Sequence, residues 1–415
     1  MDWRAAVSFS ERLAKIVKIT HNYKLAHPNV PASDVGRQAQ ALESSAYTDA
    51  DSFADYEHRC ESIIGNLSAE VASSGNPAAQ QVAEVESEQE DKDLLAGPHA
   101  DIGRYKSAVH FRNGLFSEVY KARRPEGDND QKAQKVSLVA LKLTTPAMMS
   151  APHDSEREAR ILAKAKSEER NIVPLLETFA LSGGRFVLVF EWMPWDLDSL
   201  LQKEIASRAQ IKAILKDLFS ALAHIHSMGI LHRDVKPSNI LLRSPSGPAF
   251  LADFGIAWQD GDKGCEPADE KITDVGTTHY RAPELLFGNH RYGPSLDMWA
   301  AGCVVAEAAC LKGQSLFDSG ELGSDLALIQ SHFKTLGTPD LEVWPGAKDC
   351  KDWGKMEFYK YPPKPWEEVL PPNCDEKARD LVSKLVQYES STRLTAAEVG
   401  LGIVPCGGLL GMCID

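Results

Sequence analysis

The sequence lacks several features that would place it in a particular class of protein. Its eight cysteines are scattered, with no Cys-x-x-Cys pair, so their spacing predicts neither a zinc site nor a disulfide framework and fits a reducing compartment. The first residues, MDWRAAVSFSERLAK, contain no apolar core of a secretory signal. No stretch reaches the roughly 18 apolar residues of a membrane helix, and we expect no membrane-spanning segment.

An excess of basic residues is also missing. The 415 residues carry 59 acidic and 45 basic side chains, a formal net charge of −14. Such a surface repels phosphate backbones and anionic lipid, so we expect neither nucleic acid nor membrane as a partner. The expected location is the nucleus, the cytoplasm or both.

The composition divides the chain into regions. Residues 1–72 predict three helices: an apolar series over 13–19, a short helix from Asp34 to about Ser45, and a series from Phe53 to Val71 at steps of three and four. This pattern indicates a small helical bundle. Residues 73–103 are polar and acidic with no aromatic side chain, which predicts a flexible linker.

The periodicity changes from about residue 104 onward. SEVYKA at 117–122, SLVALKL at 137–143 and RFVLVFEWM at 185–193 predict strands, and a helix is predicted near 154–166. Beyond residue 197 the pattern is mostly helical, for example over 211–229. We therefore expect an α+β, bilobal fold, with a strand-rich lobe over 104–192, a helical lobe over 193–397 and a site in the cleft between them.

Four motifs carry the chemistry: VALK at 139–142, HRDVKPSN at 232–239, DFG at 253–255 and YRAPE at 280–284. Their order resembles the signature set of Ser/Thr protein kinases. Phosphoryl transfer needs positioning and charge neutralisation more than covalent chemistry. The expected roles are a base that accepts the substrate hydroxyl proton (Asp234), a cation at the transferring phosphate (Lys236), magnesium ligands (Asn239 and Asp253) and a cation at the α- and β-phosphates of ATP (Lys142).

Lys142 needs an anionic partner to stay in place. Glu158 is the candidate because its spacing to Ile161 and Leu162 puts it on the core-facing side of the predicted helix, and Glu156 is the rival. The loop expected to cover the phosphates, RNGLFSEV at 112–119, keeps only Gly114 of the three glycines of the kinase pattern.

Further segments resemble the cyclin-dependent kinases: PHDSERE at 152–158, VFEWMPWDL at 189–197 and FKTLGTPDLEVWPG at 333–346. This resemblance implies ATP and Mg²⁺ as cofactors, and a pairing of Arg393 with Glu284. It also implies that the nucleotide is held by Gly114, Ser117, Val119, Ala140, Lys142, Glu191, Met193, Asp196 and Leu241.

The activation segment, residues 253–284, departs from that family. Ile272 stands where the family carries its activating threonine. One of the nearby acidic residues, Asp269, Glu270 or Asp274, is expected to satisfy Arg233 in place of a phosphate; the alternative is a solvated acidic loop.

In these departures the chain resembles the fungal monomeric kinases that activate cyclin-dependent kinases, through DFGIAW…EKITDVGTTHYRAPELLFG and GSDLALIQSHFKTLGTP at 323–339. The resemblance implies a protein substrate, the activation-loop threonine of a cyclin-dependent kinase. One alternative is a general proline-directed kinase. The other is a non-catalytic scaffold that binds transcription activators.

The two ends of the chain carry separate expectations. DWRAAVSFSERLAKIV and AYTDADSFADYEHR resemble the KIX domain of a Mediator-tail subunit, which implies a transcription-activator peptide as partner; helices that only pack on themselves or on the kinase are the alternative. Residues 398–415 are unlike a kinase terminus, and we interpret them as an atypical tail; the hypothesis is that this end is mis-spliced or mis-predicted.

Overall fold

The computed structural model describes most of the chain from residue 99 onward and a smaller share of what precedes it. The described residues are 15, 19, 20, 23, 32–50, 52, 53, 55, 56, 58–60, 62, 63, 99–125, 138–310, 313–320, 323–372 and 374–400. Two compact units are distinguished, Met1–Ala96 and Gly97–Asp415. Most of the first and third predicted helices, the predicted linker up to residue 98 and the tail from residue 401 lie outside the described residues.

The first unit contains helix α1 (Ala32–Asp49), which covers the predicted short helix and extends it at both ends. A small apolar core joins Ile19, Ala46, Ala50, Tyr56 and Cys60. The hydroxyl of the buried Tyr56 donates a hydrogen bond to the buried Glu43 carboxylate at 2.8 Å. The three predicted helical regions thus contribute to one core, and the resemblance to a KIX domain stays a prediction.

The second unit opens with an antiparallel sheet. Its strands are β1 (His99–Ile102), β2 (Tyr105–Asn113), β3 (Ser117–Arg123), β4 (Leu138–Thr144), β5 (Leu175–Leu181) and β6 (Arg185–Glu191), in the order β1-β2-β3-β4-β6-β5. The predicted strands at 117–122, 137–143 and 185–193 are found as β3, β4 and β6; residue 137 lies outside the described residues, and β6 ends at Glu191, two residues before the predicted end. The prediction of a linker as far as residue 103 is wrong, because His99 pairs with Val109 and Ile102 is buried.

Strand β4 separates the core of the small lobe from the cleft. Val139, Leu141 and Leu143 are buried on one face, with Val187 and Val189 of β6 in the same core. Since side chains alternate along a strand, Ala140 and Lys142 lie on the opposite face. The alternation of the VALK sequence therefore directs its lysine away from the core.

Helix α2 (Ser155–Ala165) lies where a helix near 154–166 was predicted. It begins after Asp154, whose Oδ1 accepts a hydrogen bond from the backbone N–H of Arg157 at 2.8 Å, the usual way to satisfy a free N–H at a helix start. Ile161, Leu162 and Ala165 are buried. The apolar stripe predicted from the sequence thus faces the core.

The second lobe is mainly helical. Its elements in chain order are β7 (Trp195–Asp196), α3 (Leu197–Gln202), α4 (Arg208–Ser227), β8 (Ile230–Leu231), β9 (Ile240–Leu242), β10 (Ala249–Leu251), β11 (Trp258–Gln259), α5 (Pro283–Leu286), α6 (Ser295–Ala309), α7 (Asp325–Leu336), α8 (Trp366–Val369), α9 (Glu376–Leu385) and α10 (Ala396–Gly400). The expected bilobal α+β fold is confirmed. Across the described ranges no helix is long and apolar enough to cross a membrane.

Helix α6 is the central element of this lobe and is buried from Leu296 to Glu307. A buried ion pair holds the segment before it: Arg393 Nη1 and Nη2 donate to the two carboxylate oxygens of Glu284 at 2.6 and 2.7 Å. The predicted pairing of Arg393 with Glu284 is confirmed. Removing either partner would leave the other charge buried alone, which typically costs about 3–5 kcal/mol.

One disulfide is present among the described cysteines. The Sγ atoms of Cys310 and Cys374 are 2.12 Å apart, across 64 residues of sequence. The spacing of the cysteines did not predict it, because Cys310 follows α6 and Cys374 precedes α9, and the two meet only when these helices pack. Cys265, Cys303 and Cys350 form no disulfide.

Gly302 of α6 packs closely against the C-terminal end of α9, and we predict that Gly302→Ala lowers the stability. A Cβ atom at this position would lie 2.7 Å from Val386 Cγ2 and 2.8 Å from Leu385 Cβ. Alanine gains up to about 1 kcal/mol of helix propensity, but overpacking costs about 1–3 kcal/mol. Thermal unfolding measures the balance, with Gly293→Ala as the control because no atom lies within 4 Å of its Cβ position. A melting temperature equal to or above that of the control would contradict this packing.

Candidate active site

Lys142, Glu158 and Asp253 form one charged cluster. Lys142 Nζ donates to Glu158 Oε1 at 2.9 Å and Oε2 at 2.8 Å, and to Asp253 Oδ1 at 2.8 Å. Burial alone would lower the pKa of Lys142, but the two carboxylates raise it above its ordinary value. Lys142 lowers the pKa of Asp253 in turn. The expected partner Glu158 is thus in contact with Lys142, whereas Glu156 is exposed.

The DFG segment packs closely against this cluster. A Cβ on Gly255 would lie 3.3 Å from Asp253 Oδ1, 3.4 Å from Glu158 Oε2 and 3.6 Å from Lys142 Nζ. Asp253 itself has a φ of 64°, in the left-handed region that most side chains avoid. Its hydrogen bond to Lys142 belongs to the contacts that hold it there.

A second cluster surrounds Asp234. Its Oδ1 accepts hydrogen bonds from the backbone N–H of Thr277 at 2.9 Å and the Thr277 hydroxyl at 2.8 Å. Lys236 Nζ lies 2.7 Å from Asp234 Oδ2 and donates to Thr277 Oγ1 at 2.7 Å. The Asn239 side-chain N–H donates to the same carboxylate at 3.1 Å. Both carboxylate oxygens therefore have a fixed orientation.

Asn239 and Asp253 suit a hard cation in their donor chemistry. The side-chain nitrogen of Asn239 donates to the backbone oxygen of Asp234 at 2.8 Å as well as to its carboxylate, so this nitrogen is engaged with Asp234. A backbone hydrogen bond from Ala252 to Asn239 O at 2.9 Å places this segment beside Asp253. Among the described residues no three His, Cys, Asp or Glu side chains form a metal site. Two oxygen donors fit Mg²⁺, which usually binds through one or two side chains together with substrate phosphates.

The residues expected at the nucleotide lie on both sides of the cleft. In the small lobe Val119 pairs in register with Lys142, two residues along the strand from Ala140. In the helical lobe Asp196 pairs in register with Leu241. Gly114 and Ser117 lie at the turn between β2 and β3, where the Gly114 N–H donates to the Ser117 carbonyl at 2.6 Å.

The segment VFEWMPWDL, residues 189–197, has structural contacts of its own. The Glu191 carboxylate makes two hydrogen bonds of 2.7 Å with Arg243, so its side chain is engaged there. Asp196 Oδ1 accepts from the Ser199 N–H at 2.7 Å and caps α3. Met193 is buried. The backbone of 191–193 and the side chain of Asp196 remain expectations as nucleotide contacts.

Arg233 pairs with a carboxylate, as expected, but not with one of the three residues named from the sequence. Arg233 Nη1 donates to Glu266 Oε1 at 3.0 Å, and Arg233 Nε donates to the Ile256 carbonyl at 2.6 Å. Asp274 instead pairs with Arg281 at 2.7 Å. The naming of Asp269, Glu270 or Asp274 is wrong because the segment folds back so that its earlier part, at Glu266, reaches Arg233.

Two further residues of the site were not predicted from the sequence, although Thr277 lies three residues before the YRAPE motif. Thr277 contacts both Asp234 and Lys236, although about 40 residues separate it from them. Asp297 of α6 accepts hydrogen bonds from the backbone N–H groups of His232 and Arg233, both at 2.9 Å. Position along the chain does not reveal such contacts, since the tertiary fold brings the segments together.

A buried acid lies behind the activation segment. The Tyr280 hydroxyl donates to Glu307 Oε2 at 2.7 Å. Burial raises the pKa of Glu307 to about 7, with the charge of Asp198 adding to the shift and the hydrogen bond from Tyr280 opposing it. Glu307 therefore titrates close to neutral pH.

Comparisons with known proteins agree with this geometry. Residues 105–400 match the protein kinase domain model. The Serine/threonine-protein kinase csk1 of Schizosaccharomyces pombe is 37% identical over 286 residues, which cover 68% of this chain and 88% of that protein. Cyclin-dependent kinase 20 of Danio rerio is 33% identical, over 72% of this chain and 82% of its own length. Cyclin-dependent kinase 7 of Dictyostelium discoideum is 37% identical over 58% of this chain and 63% of its own.

A solved structure is also similar. The crystal structure of the yeast RNA Pol II CTD kinase CTDK-1 complex includes a chain with a TM-score of 0.57 and 27% sequence identity. The match covers 72% of this chain and 94% of that one. The similarity thus spans both lobes that contribute residues to the site.

The raised pKa of Glu307 predicts a stability that falls as the pH rises. Glutamate in an unfolded chain has a pKa of about 4.3, so from there to about pH 7 the unfolded chain loses this proton and the folded protein keeps it. We expect the melting temperature to drop between about pH 5 and about pH 7.5, and the drop to be at least about 2 °C smaller in Glu307→Gln. Glu156→Gln, on the exposed part of α2, is the control. The same drop in Glu307→Gln as in the wild type would show that Glu307 does not titrate there.

Proposed function

The chain belongs to the protein kinase family, as a Ser/Thr kinase of the cyclin-dependent-kinase-like group, and we propose that it phosphorylates the activation-loop threonine of cyclin-dependent kinases. The family uses Mg-ATP. The observation that carries the catalytic part of the proposal is the cluster in which Lys236, Thr277 and Asn239 orient the Asp234 carboxylate.

The chain's own residues have distinct tasks in this proposal. Asp234 accepts the proton of the substrate hydroxyl as the hydroxyl oxygen attacks phosphorus, since an oriented carboxylate within hydrogen-bond reach is what a general base needs. Lys236, 2.7 Å from that carboxylate, provides positive charge where the transferring phosphate lies. Lys142 holds the α- and β-phosphates, and Glu158 keeps Lys142 in place.

Asn239 and Asp253 would hold the metal through their side-chain oxygens. Magnesium, when bound, neutralises charge on the phosphates. Lys142 and Asp253 lie within hydrogen-bond distance of each other, which supports a role for both at the same phosphates.

The activation segment supports a cyclin-dependent kinase as substrate. Its sequence, together with 323–339, resembles fungal kinases with that activity. Arg233 already has the Glu266 carboxylate as its partner, so the segment is ordered without a phosphate. A kinase that activates other kinases has to be active before them, and a segment of this kind meets that requirement.

We predict that Asp234→Asn abolishes transfer to a cyclin-dependent kinase that lacks activation-loop phosphate. The amide cannot take the hydroxyl proton, and loss of a general base typically lowers kcat about 10²–10⁴-fold. The assay supplies Mg-ATP and the unphosphorylated kinase, with and without cyclin, and detects phosphothreonine on the activation loop. Asp260→Asn, a carboxylate exposed in the same lobe, is the control.

Transfer by Asp234→Asn equal to the control would overturn the catalytic part of the proposal. Transfer that requires wild-type Asp234 but falls elsewhere than the activation-loop threonine would overturn the substrate part alone. The two parts of the proposal are thus tested separately.

A general proline-directed kinase is the second candidate, and one contact favours it. Gly276 has a φ of 75°, and its carbonyl accepts a hydrogen bond from Arg281 Nε at 3.2 Å. A carbonyl engaged in this way is less available to the backbone N–H of the substrate residue after the phosphorylated one. Proline has no N–H and loses nothing there.

We expect Arg281→Leu to reduce the preference for a Ser-Pro peptide over a matched Ser-Ala peptide, because the Gly276 carbonyl becomes free to accept the alanine N–H. A net hydrogen bond of about 1 kcal/mol corresponds to a change of about fivefold in the ratio of kcat/KM values. Asp325→Asn is the control, since it removes another partner of Arg281 and leaves the Gly276 contact. An unchanged ratio in Arg281→Leu would count against this candidate.

A further inference from the structure

One face of α2 is basic and meets a turn of the activation segment. Arg157, Arg160 and Lys164 recur at i, i+3 and i+7, the spacing of one helix face. Glu158, the partner of Lys142, lies on the same helix. Whatever holds the basic face therefore also determines where Glu158 lies.

Asp262 is the main contact of that face. Its Oδ1 accepts hydrogen bonds from Arg160 Nη2 at 3.0 Å and Nε at 3.2 Å, and its Oδ2 accepts one from Lys164 Nζ at 2.7 Å. The Asp262 side chain is 4% exposed, whereas those of Arg160 and Lys164 are 35% and 46% exposed. Burial would raise the pKa of Asp262, but the hydrogen bonds from Lys164 and Arg160 lower it. The carboxylate is therefore ionised between two cations.

Backbone carbonyls of the same turn extend the contact. Arg157 Nη1 donates to the Gly264 carbonyl at 2.9 Å, and Arg160 Nη2 donates to the Lys263 carbonyl at 2.5 Å. Gly264 has a φ of 85°, and a Cβ there would lie 2.9 Å from Asp154 Oδ2. The turn thus reaches the N-terminal end of α2 through an approach that a side chain would obstruct.

The flanks of this turn are attached to the helical lobe. Gln259 Nε2 donates to the Met228 carbonyl at 3.0 Å, and Lys164 Nζ also reaches Gln259 Oε1 at 2.9 Å. At the other flank Glu266 pairs with Arg233, and its carbonyl accepts from Trp258 Nε1 at 2.8 Å. The turn therefore connects α2 to residues 232–239, the HRDVKPSN segment that carries Asp234, here called the catalytic loop.

The outer face of α2 has little to offer a partner chain. The structure describes the whole helix, and its exposed residues other than Lys164 of the basic face are Glu156 and Ala163. Stable protein interfaces depend on a few large buried anchors, and neither residue provides one. The position of α2 is instead maintained from its inner, basic face.

We propose that residues 259–266, here called the brace, hold α2 where Glu158 pairs with Lys142, with Asp262 as the positioning residue. The kinase then needs no partner chain on α2 and no phosphate on its activation segment. Without the Asp262 carboxylate, Arg160 and Lys164 would lack their common anion, and α2 would move away from Lys142. The inference rests on the roles proposed above for Lys142 and Glu158.

The experiment compares full-length Asp262→Asn with Asp260→Asn, which makes the same change in charge at an exposed position in the same segment. Two quantities are measured without added partner: the rate of transfer from Mg-ATP to the kinase substrate and to a Ser-Pro peptide, and hydrogen exchange over residues 155–165. Loss of the anion shared by two partly exposed ion pairs predicts a rate about 30-fold lower, with faster exchange in α2 and unchanged exchange in α6. Asp260→Asn leaves both at the wild-type value.

A charge-swapped variant covers the case in which Asp262→Asn does not fold. Asp262→Arg combined with Arg160→Glu and Lys164→Glu restores opposite charges across the same contact, and its rate should lie within about tenfold of the wild type. No recovery in this variant, or α2 exchange in Asp262→Asn equal to that in Asp260→Asn, overturns the brace. Asp234→Asn is run beside them: if it stays active, the proposed function fails, while the exchange measurement still decides the brace.

Discussion

Three hydrogen bonds converge on the carboxylate of Asp297, near the start of the buried helix α6. They come from the backbone N–H groups of His232 and Arg233 and from His226 Nε2, at 2.9, 2.9 and 2.8 Å. Arg233 has a φ of 71°, a backbone conformation that needs such support. Because Asp234 follows directly, the backbone position of the proposed base depends on this buried side chain, while Thr277, Lys236 and Asn239 contact its carboxylate.

The catalytic loop in turn organises the activation segment. Asp234 anchors Thr277, and Arg233 anchors Glu266, so that adjacent residues of one loop hold the two halves of the segment. The brace, which is part of this ordered segment, in turn contacts α2 through the ion pair of Asp262 with Arg160. A continuous series of contacts therefore runs from helix α6 through the catalytic loop and the activation segment to the Lys142–Glu158 pair. Each contact is made of hydrogen bonds to a charged group, which are stronger than hydrogen bonds between neutral groups.

Charge is distributed unevenly in this protein. The chain as a whole carries a formal charge of −14, yet the face of α2 toward the activation segment is basic. Acidic residues of the segment therefore have specific partners: Asp262 binds Arg160 and Lys164, and Glu266 binds Arg233. The three residues for which the sequence left a solvated acidic loop open, Asp269, Glu270 and Asp274, are exposed, as that alternative predicts, and Asp274 pairs with Arg281.

The sequence by itself determined the fold class, the strands around VALK, the helix that carries Glu158 and the motif residues Lys142, Asp234, Asn239 and Asp253. Strand alternation and helix periodicity are local, and the motifs are short, so neighbouring residues suffice to find them. The pairing of Arg393 with Glu284 came from family resemblance.

Only the tertiary structure decided that Glu266 is the partner of Arg233, that Thr277 joins Asp234 and that Asp262 holds α2. These contacts span 33, 43 and 102 residues, and their geometry depends on how the helices pack. Several acidic residues in one segment look equivalent in sequence. The fold distinguishes them because a carboxylate pairs with an arginine only where the backbone brings the two within about 3 Å.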